Sequence, residues 1–304
     1  MPTLTRRQRR RSELAKAETR QALGFISPAL AGLAVFTIVP VVLSIVMSLY
    51  NWPAFGERSF AGFGNYVDLF TRHPDFWPAL RNSAVFTLLF VPMNLIVALS
   101  LALALSPRIR GRGAFRVLFF IPVVTPIVAN ALVWKMMLQP QGLFNGVSTS
   151  VFGVELPNFL ADRHWAMIMV VMMSVWQGMG YNMLIFSAAL EQLPASVMEA
   201  ARIDGAQGAR MIRSVVIPML SPAIFFATVM TIITSLQVFA QPQLLTGGGP
   251  GNATMPLVQF IYNQGFQFQN LGLAAAAAWV LFVLIILITA MQFKAQKRWV
   301  HYEH

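Results

Sequence analysis

Residues Glu199–Pro222 read EAARIDGAQGARMIRSVVIPMLSP, a polar segment rich in small residues and set between two apolar runs, each long enough to cross a bilayer. Glu199, Ala200 and Ala201 open it, Asp204 and Gly205 follow, and Ile217-Pro218 leads into the next apolar run. Small side chains let a helix lie close against another surface. Gly205 has no Cβ to oppose the positive φ that a sharp exit from a short helix requires. Pro218 and Pro222 suit the first turn of the helix that follows, where backbone donors lack intrahelical partners. These residues predict a short polar helix, a turn and a membrane helix.

The surrounding chain sets the class. It has 304 residues, 57% of them hydrophobic and only 11% charged, with a mean hydropathy of +0.62. Soluble domains carry about 25% charged residues, so the chain reads as an integral membrane protein. It has no cysteine, which excludes disulfides and thiolate metal sites. A net charge of +11 would suggest nucleic acid as a partner for a soluble protein. Here the charges lie between apolar runs, so membrane topology accounts for them and no nucleic-acid partner is expected.

Arg6, Arg7, Arg9, Arg10, Arg11, Lys16 and Arg20 precede the first apolar run, Phe25 to Tyr50. That run is longer than the roughly 7–15 apolar residues of a secretory signal and fits the ~20 that span a bilayer. The tail is expected to touch anionic headgroups. Six spans are expected, at about 25–50, 79–106, 115–138, 165–190, 217–240 and 271–293. Pro28, Pro40, Pro92, Pro122 and Pro126 fall in or near them, as membrane helices tolerate. Of the 22 Lys and Arg, 17 lie in the two tails and in the loops around Arg108–Arg116 and Arg202–Arg213. The positive-inside rule therefore puts both termini in the cytoplasm, in agreement with an even span count. Trp52, Trp77, Trp134, Trp165 and Trp299 are expected at membrane–water edges. The expected organisation is a basic tail (1–24), a transmembrane domain (25–293) with a cytoplasmic loop at 191–216, and a short tail (294–304).

All 11 acidic residues and all 4 histidines fall outside the spans or at their ends. No intramembrane proton relay is visible, nor the partners an intramembrane protease would need. G-x-x-x-x-G-K-[ST] is absent, so ATP is not cradled by that route. A stand-alone channel, or a carrier coupled to sodium through backbone carbonyls and hydroxyls, remains compatible with these absences.

The spacing E-A-A, three residues, Gly205, nine residues, then Val215-Val216-Ile217-Pro218 resembles the coupling-loop signature of permease subunits of binding-protein-dependent ABC importers. Three further blocks are similar to the maltose/glycerol-phosphate-type permeases: Gly62–Tyr66 (GFGNY), Gly113–Pro122 (GAFRVLFFIP) and Leu245–Thr254 (LTGGGPGNAT). The likeness covers nearly the whole chain from Phe25, in a minimal six-span form. It implies an all-α fold of the type I ABC importer permease, in the cell (cytoplasmic) membrane. It also implies a second homologous permease subunit, two cytoplasmic ATPase subunits that bind ATP and Mg, and an external solute-binding protein. The chain itself would be a transport subunit, not an enzyme, with no cofactor or metal of its own and a mono- or oligosaccharide as expected solute. Glu199, Ala200, Ala201, Asp204 and Gly205 would contact an ATPase. Ser174, Gln177, Gly178 and Tyr181 in the fourth span, and Thr231, Thr234, Ser235 and Val238 in the fifth, would line the solute path. Ser174, Gln177 and Tyr181 share a helix face by spacing. Ser, Thr and Gly are equally common as packing residues between membrane helices. Asn94 and Asn130 are expected to bond between helices.

Overall fold

In hydrocarbon every backbone N–H and C=O must find a partner within the protein, so long apolar runs fold as helices. The computed structural model describes residues 21–105 and 111–296. The basic N-terminal tail through Arg20, Arg108 and Arg110, and Lys297, Arg298 and Trp299 lie outside the described residues.

In chain order the elements are α1 (Gln21–Ser48), the short strands β1 (Tyr50–Asn51) and β2 (Ser59–Phe60), α2 (Gly64–Thr71) and α3 (Phe76–Ala104). Then come α4 (Arg112–Val124), α5 (Ile127–Leu138), α6 (Leu143–Phe152), α7 (Arg163–Glu191) and α8 (Ala195–Ile203). The chain ends with α9 (Gly208–Met219), α10 (Ser221–Leu236), α11 (Ala240–Leu245), α12 (Leu257–Tyr262) and α13 (Leu271–Gln296). Among the described residues the fold is all-α apart from a two-stranded antiparallel hairpin, Tyr50 opposite Phe60 and Asn51 opposite Ser59, and an isolated bridge between Pro53 and Asn270.

Four helices (α1, α3, α7 and α13) are unbroken and long enough to cross a membrane. The runs expected as single spans over 115–138 and 217–240 fold as broken helix pairs. α4 meets the α5–α6 segment at 94°, and α9 meets α10 at 70°. The reason lies in the prolines. Both breaks carry two prolines four residues apart with Thr or Ser before the second, PVVTP at 122–126 and PMLSP at 218–222. A helix carbonyl is normally served by the N–H four residues on, and proline has none. The Pro122 carbonyl, robbed of that donor at Pro126, accepts from the Asn130 side chain at 3.0 Å. Asn130 thus stitches the two halves of one broken run rather than bonding to a different span. Pro218, expected in a first turn, lies near the end of α9.

Pro40 and Pro218 are handled differently. Each follows a five-residue π-turn, Ala34–Ile38 and Ile212–Val216, that ends two residues before it. In each turn the N–H just ahead of the proline reaches five residues back, Val39 to Ala34 and Ile217 to Ile212. The wider turn makes room where the proline ring would press on the preceding turn.

α3 and α7 form the centre. Ala98 and Ala102 pack with Met183 and Phe186, and Phe86 with Met169, Val170 and Met173. α4 crosses α7 so closely that a Cβ on Gly180 would sit in the Phe119 backbone carbonyl. α13 packs on α12 and the start of α3 through Phe76, Leu257, Phe260 and Ala276. At the end of α1, Asn65 donates to the carbonyls of Ser48 (2.8 Å) and Tyr50 (2.9 Å), and the Tyr66 hydroxyl bonds to Ser48. The GFGNY block is therefore a tie that satisfies the last carbonyl of the first helix, at Ser48, and that of Tyr50 in β1. α7 starts at Asp162, whose carboxylate accepts from the N–H groups of Trp165 (3.1 Å) and His164 (2.8 Å). Those bonds hold the Asp162 carboxyl below the usual carboxylate range.

Asn130→Leu strips the Pro122 carbonyl of its donor in a buried setting and should destabilise the purified protein by about 1–3 kcal/mol. Thr125→Val removes a hydroxyl from the Ile121 carbonyl, which keeps the Thr125 N–H, and should cost under about 1 kcal/mol. Thermal denaturation in detergent measures both; equal melting temperatures for Asn130→Leu and wild type would contradict the stitch.

Candidate functional site: coupling helix and polar path

α8 sits beneath the bundle because one of its faces is apolar and the other is not. Met198 and Ala201 pack with Leu193, Ala206, Met211 and Val216, while Glu199, Ala200, Arg202, Asp204 and Gly205 stay exposed. Ile203 is 87% exposed, a large apolar side chain at the tip of the free face. The exit from α8 is a Schellman turn. Gly205 has φ +81°, its N–H bonds to the Arg202 carbonyl at 3.1 Å, and the Ala206 N–H reaches the Ala201 carbonyl at 2.9 Å. Glu199, Ala200, Ala201, Asp204 and Gly205 thus form one rigid element. Above it, Arg112 (3.2 Å) and Arg116 (2.8 Å) both pair with Glu191, tying the start of α4 to the end of α7. Sequence reasoning gave these three side chains no role; Arg116 lies inside the GAFRVLFFIP block that it did single out.

The eight residues expected along the solute path do not stay together. Tyr181 and Thr234 are exposed, Gln177 and Gly178 are half-buried, and Ser174, Thr231, Ser235 and Val238 are buried. Ser174 returns its hydroxyl to the Val170 carbonyl at 2.7 Å. Ser235 donates to Thr87 at 3.0 Å, joining α10 to α3. Gly178 serves packing, since a Cβ there would lie 3.1 Å from the Asn94 amide nitrogen. What the buried positions build is a polar cluster between three helices. Asn182 Nδ2 donates to Asn94 Oδ1 at 2.6 Å and to Thr231 Oγ1 at 3.0 Å. Asn94 bonds between helices, as expected, and Asn182 was missed. Its signal was available: an asparagine one residue beyond Tyr181 turns about 100° away, toward the packed side of the helix. Three atoms of this region, Asn94 Nδ2, Asn182 Oδ1 and Gln177 Oε1, are buried without partners.

At the opposite end of the bundle from α8, the LTGGGPGNAT block folds into a fixed loop. Gly248 has φ +89°, and a Cβ on it would lie 2.9 Å from Gln259 Nε2. Asn82 donates to the carbonyls of Asn252 (2.8 Å) and Met255 (3.0 Å), and Asn252 donates to Asp75 at 3.0 Å. These bonds clamp the loop to the first turns of α3. Among the described residues no three His, Cys, Asp or Glu side chains gather as a metal site needs.

Comparison with known proteins agrees with this geometry. Residues 79–301 match the family described as binding-protein-dependent transport system inner membrane component. The chain is 34% identical over 278 residues to the lactose transport system permease protein LacF of Rhizobium radiobacter, covering 90% of this chain and 93% of that one. It is also 34% identical over 281 residues to the sn-glycerol-3-phosphate transport system permease protein UgpA of Agrobacterium fabrum, covering 91% and 94%. In fold it resembles a chain of a bacterial alginate ABC transporter crystallised with a pentasaccharide-bound periplasmic protein. The TM-score is 0.80 at 22% identity, covering 93% of this chain and 96% of that one.

Asn182→Ala and Asn94→Ala should each cost about 1–3 kcal/mol by leaving buried partners unpaired. The double variant should cost less than the two together, by about 0.5 kcal/mol or more. Additive losses in a thermal double-mutant cycle would show that the two amides do not act as one unit.

Proposed function

The chain belongs to the family of binding-protein-dependent transport system inner membrane components, and from that membership we propose that it is a six-span, sugar-conducting permease driven through α8. It is the transmembrane permease component of an ABC importer and moves a solute delivered by an external binding protein. It is a multi-pass protein of the cell membrane and a transport subunit rather than an enzyme.

In the finer reading each broken pair counts as one span, giving six, with both termini and α8 in the cytoplasm and the Gly247–Thr254 loop outside. A second, homologous permease completes the path, and two ATPase subunits grip the free faces of the coupling helices. The observation that carries this reading is α8 itself. It is a short helix with one face seated on the bundle, the other bare, and a rigid turn at its exit. Glu199 stands at the exposed edge of α8, where it also borders the cleft between the helix and the bundle, placed for a charge-assisted hydrogen bond to an ATPase side chain. The basic tail 1–24 and the tail 294–304 would flank the transmembrane domain on the cytoplasmic side.

The solute is a mono- or oligosaccharide of the kind handled by maltose-type permeases. Lactose and glycerol-phosphate permeases are equally similar to this chain, at 34% identity each, so similarity does not choose. Chemistry does. A phosphate ester crossing the midplane would call for Arg, Lys or a helix N-terminus aimed at it. Arg81, Lys135 and Arg163 stand at the outer ends of their runs and Arg116 near an inner end, with no Arg or Lys between, and the helix starts inside the broken runs are headed by Pro126 and Pro222. Gln177, Tyr181 and Thr234 offer instead an amide, a ring and hydroxyls, suited to sugar.

Gly205→Pro forbids the positive φ and deletes the N–H that closes the turn, and Glu199→Lys reverses the contact charge. Both variants should reach the membrane, keep ATP hydrolysis in the reconstituted complex, and lose at least tenfold in solute uptake per ATP. Normal uptake with normal solute-stimulated hydrolysis in both would refute the lever. The assembled complex should import a labelled sugar and ignore excess glycerol phosphate. Stimulation of ATP hydrolysis by micromolar glycerol phosphate would overturn the sugar reading. Solute uptake by this chain alone in liposomes, without ATP, would favour a channel or sodium-coupled carrier.

A further inference from the structure

Serines inside helices return their hydroxyl to a carbonyl one turn back, as Ser174 does to Val170. Ser187, thirteen residues on in the same helix and 2% exposed, does not; its Oγ is buried with no hydrogen-bond partner. Arg116 shows a similar deficit, with one guanidinium nitrogen on Glu191 and its Nε buried and unpaired. Both side chains line the same cleft, about 520 Å³ in volume, enclosed by the ends of α3 and α7 and by α4, α8 and α9. That volume lies within the ~300–1,000 Å³ typical of ligand pockets.

The rest of the lining states what would fill it. Leu103, Leu193, Met198, Met211 and Val216 make an apolar wall. Arg116, Arg202, Glu191 and Glu199 add two charges of each sign. Leaving buried donors unpaired is costly, and acceptor oxygens on an occupant would satisfy Arg116 Nε–H and the Ser187 hydroxyl. Glu191 is already bridged by Arg112 and Arg116, so among the described residues Arg202 and Glu199 are the other charges of the lining, a pair of opposite sign that suits a zwitterion. The apolar wall calls for a hydrocarbon chain. In the six-span reading the helix ends that build the cleft lie at the level of the cytoplasmic headgroups.

We propose that this cleft binds one zwitterionic phospholipid of the cytoplasmic leaflet, its phosphate on Arg116 and Ser187 and its ammonium toward Glu199. The lipid fills the space between α8 and the bundle, so its presence sets how firmly the coupling helix is seated. The assignment of leaflet rests on the proposed topology; the binding itself does not depend on transport or on the identity of the solute.

The complex of this chain with its partners, purified in nanodiscs containing phosphatidylethanolamine and phosphatidylglycerol, provides the test, read by native mass spectrometry of retained lipid. Wild type should keep one phosphatidylethanolamine that Ser187→Leu, which fills the cleft, loses at least tenfold more readily. Ser187→Thr, which keeps the hydroxyl, should retain it. Should Ser187→Leu fail to assemble, Ser187→Ala removes the hydroxyl without added bulk and should weaken retention several-fold. Inorganic phosphate and soluble glycerophosphoethanolamine should not displace the lipid. Equal retention by wild type and whichever of the Leu and Ala variants assembles, phosphatidylglycerol held as tightly as phosphatidylethanolamine, or displacement by free phosphate would each overturn the proposal.

Discussion

The hydrogen bond from Asn130 to the Pro122 carbonyl expresses the constraint on which the whole structure depends. A chain in hydrocarbon cannot leave a backbone group unpaired, and each departure from straight helix needs its own repair. The same logic recurs at other irregular points. π-turns precede Pro40 and Pro218, Asn65 serves the last carbonyl of α1, and Ser83 accepts the Leu257 N–H at 2.8 Å where α12 begins. Polar side chains in this protein are spent first on backbone groups, and only the remainder are free for solute.

The breaks have a mechanical consequence. An unbroken helix from Gly208 to Leu236 would run straight from the coupling segment through the bundle. The 70° bend at Leu220 instead lays α9 close to α8, where Met211 and Val216 pack under Met198 and Ala201. The 94° bend after α4 likewise turns the Arg112–Arg116 end toward Glu191 and away from the line of α5. α8, α9 and the start of α4 therefore form one unit at one end of the molecule. The α3–α7–α10 cluster of Asn94, Asn182 and Thr231 joins that unit to the middle of the bundle.

Much of this was legible in the sequence. Hydropathy located all six apolar runs, and the small residues with Gly205 located α8 and its turn. Single spans were expected at 115–138 and 217–240, and their bends went unread because apolar content carries no information about helix direction. The Pro-x-x-Thr/Ser-Pro spacing does carry it, through the carbonyl that loses its donor. The polar path was only partly legible for a different reason. Spacing puts Ser174, Gln177 and Tyr181 on one face, but burial depends on which neighbours arrive. Ser174 and Thr231 are buried while Tyr181 stays open. A serine or threonine in a membrane helix reads the same whether it faces a neighbour or a cavity.

The proposed mechanism requires α9 and α10 to be one crossing and not a re-entrant loop, since only a crossing puts α8 and the Gly247–Thr254 loop on opposite sides. The chain has no cysteine, so single cysteines at Gly205 and at Gly248 can be labelled against a clean background in intact cells with an impermeant thiol reagent. The cysteine at Gly248 should react from outside, and the one at Gly205 only after the membrane is opened. Labelling of both from the same side would contradict the crossing, and with it the proposed link from α8 to a solute path.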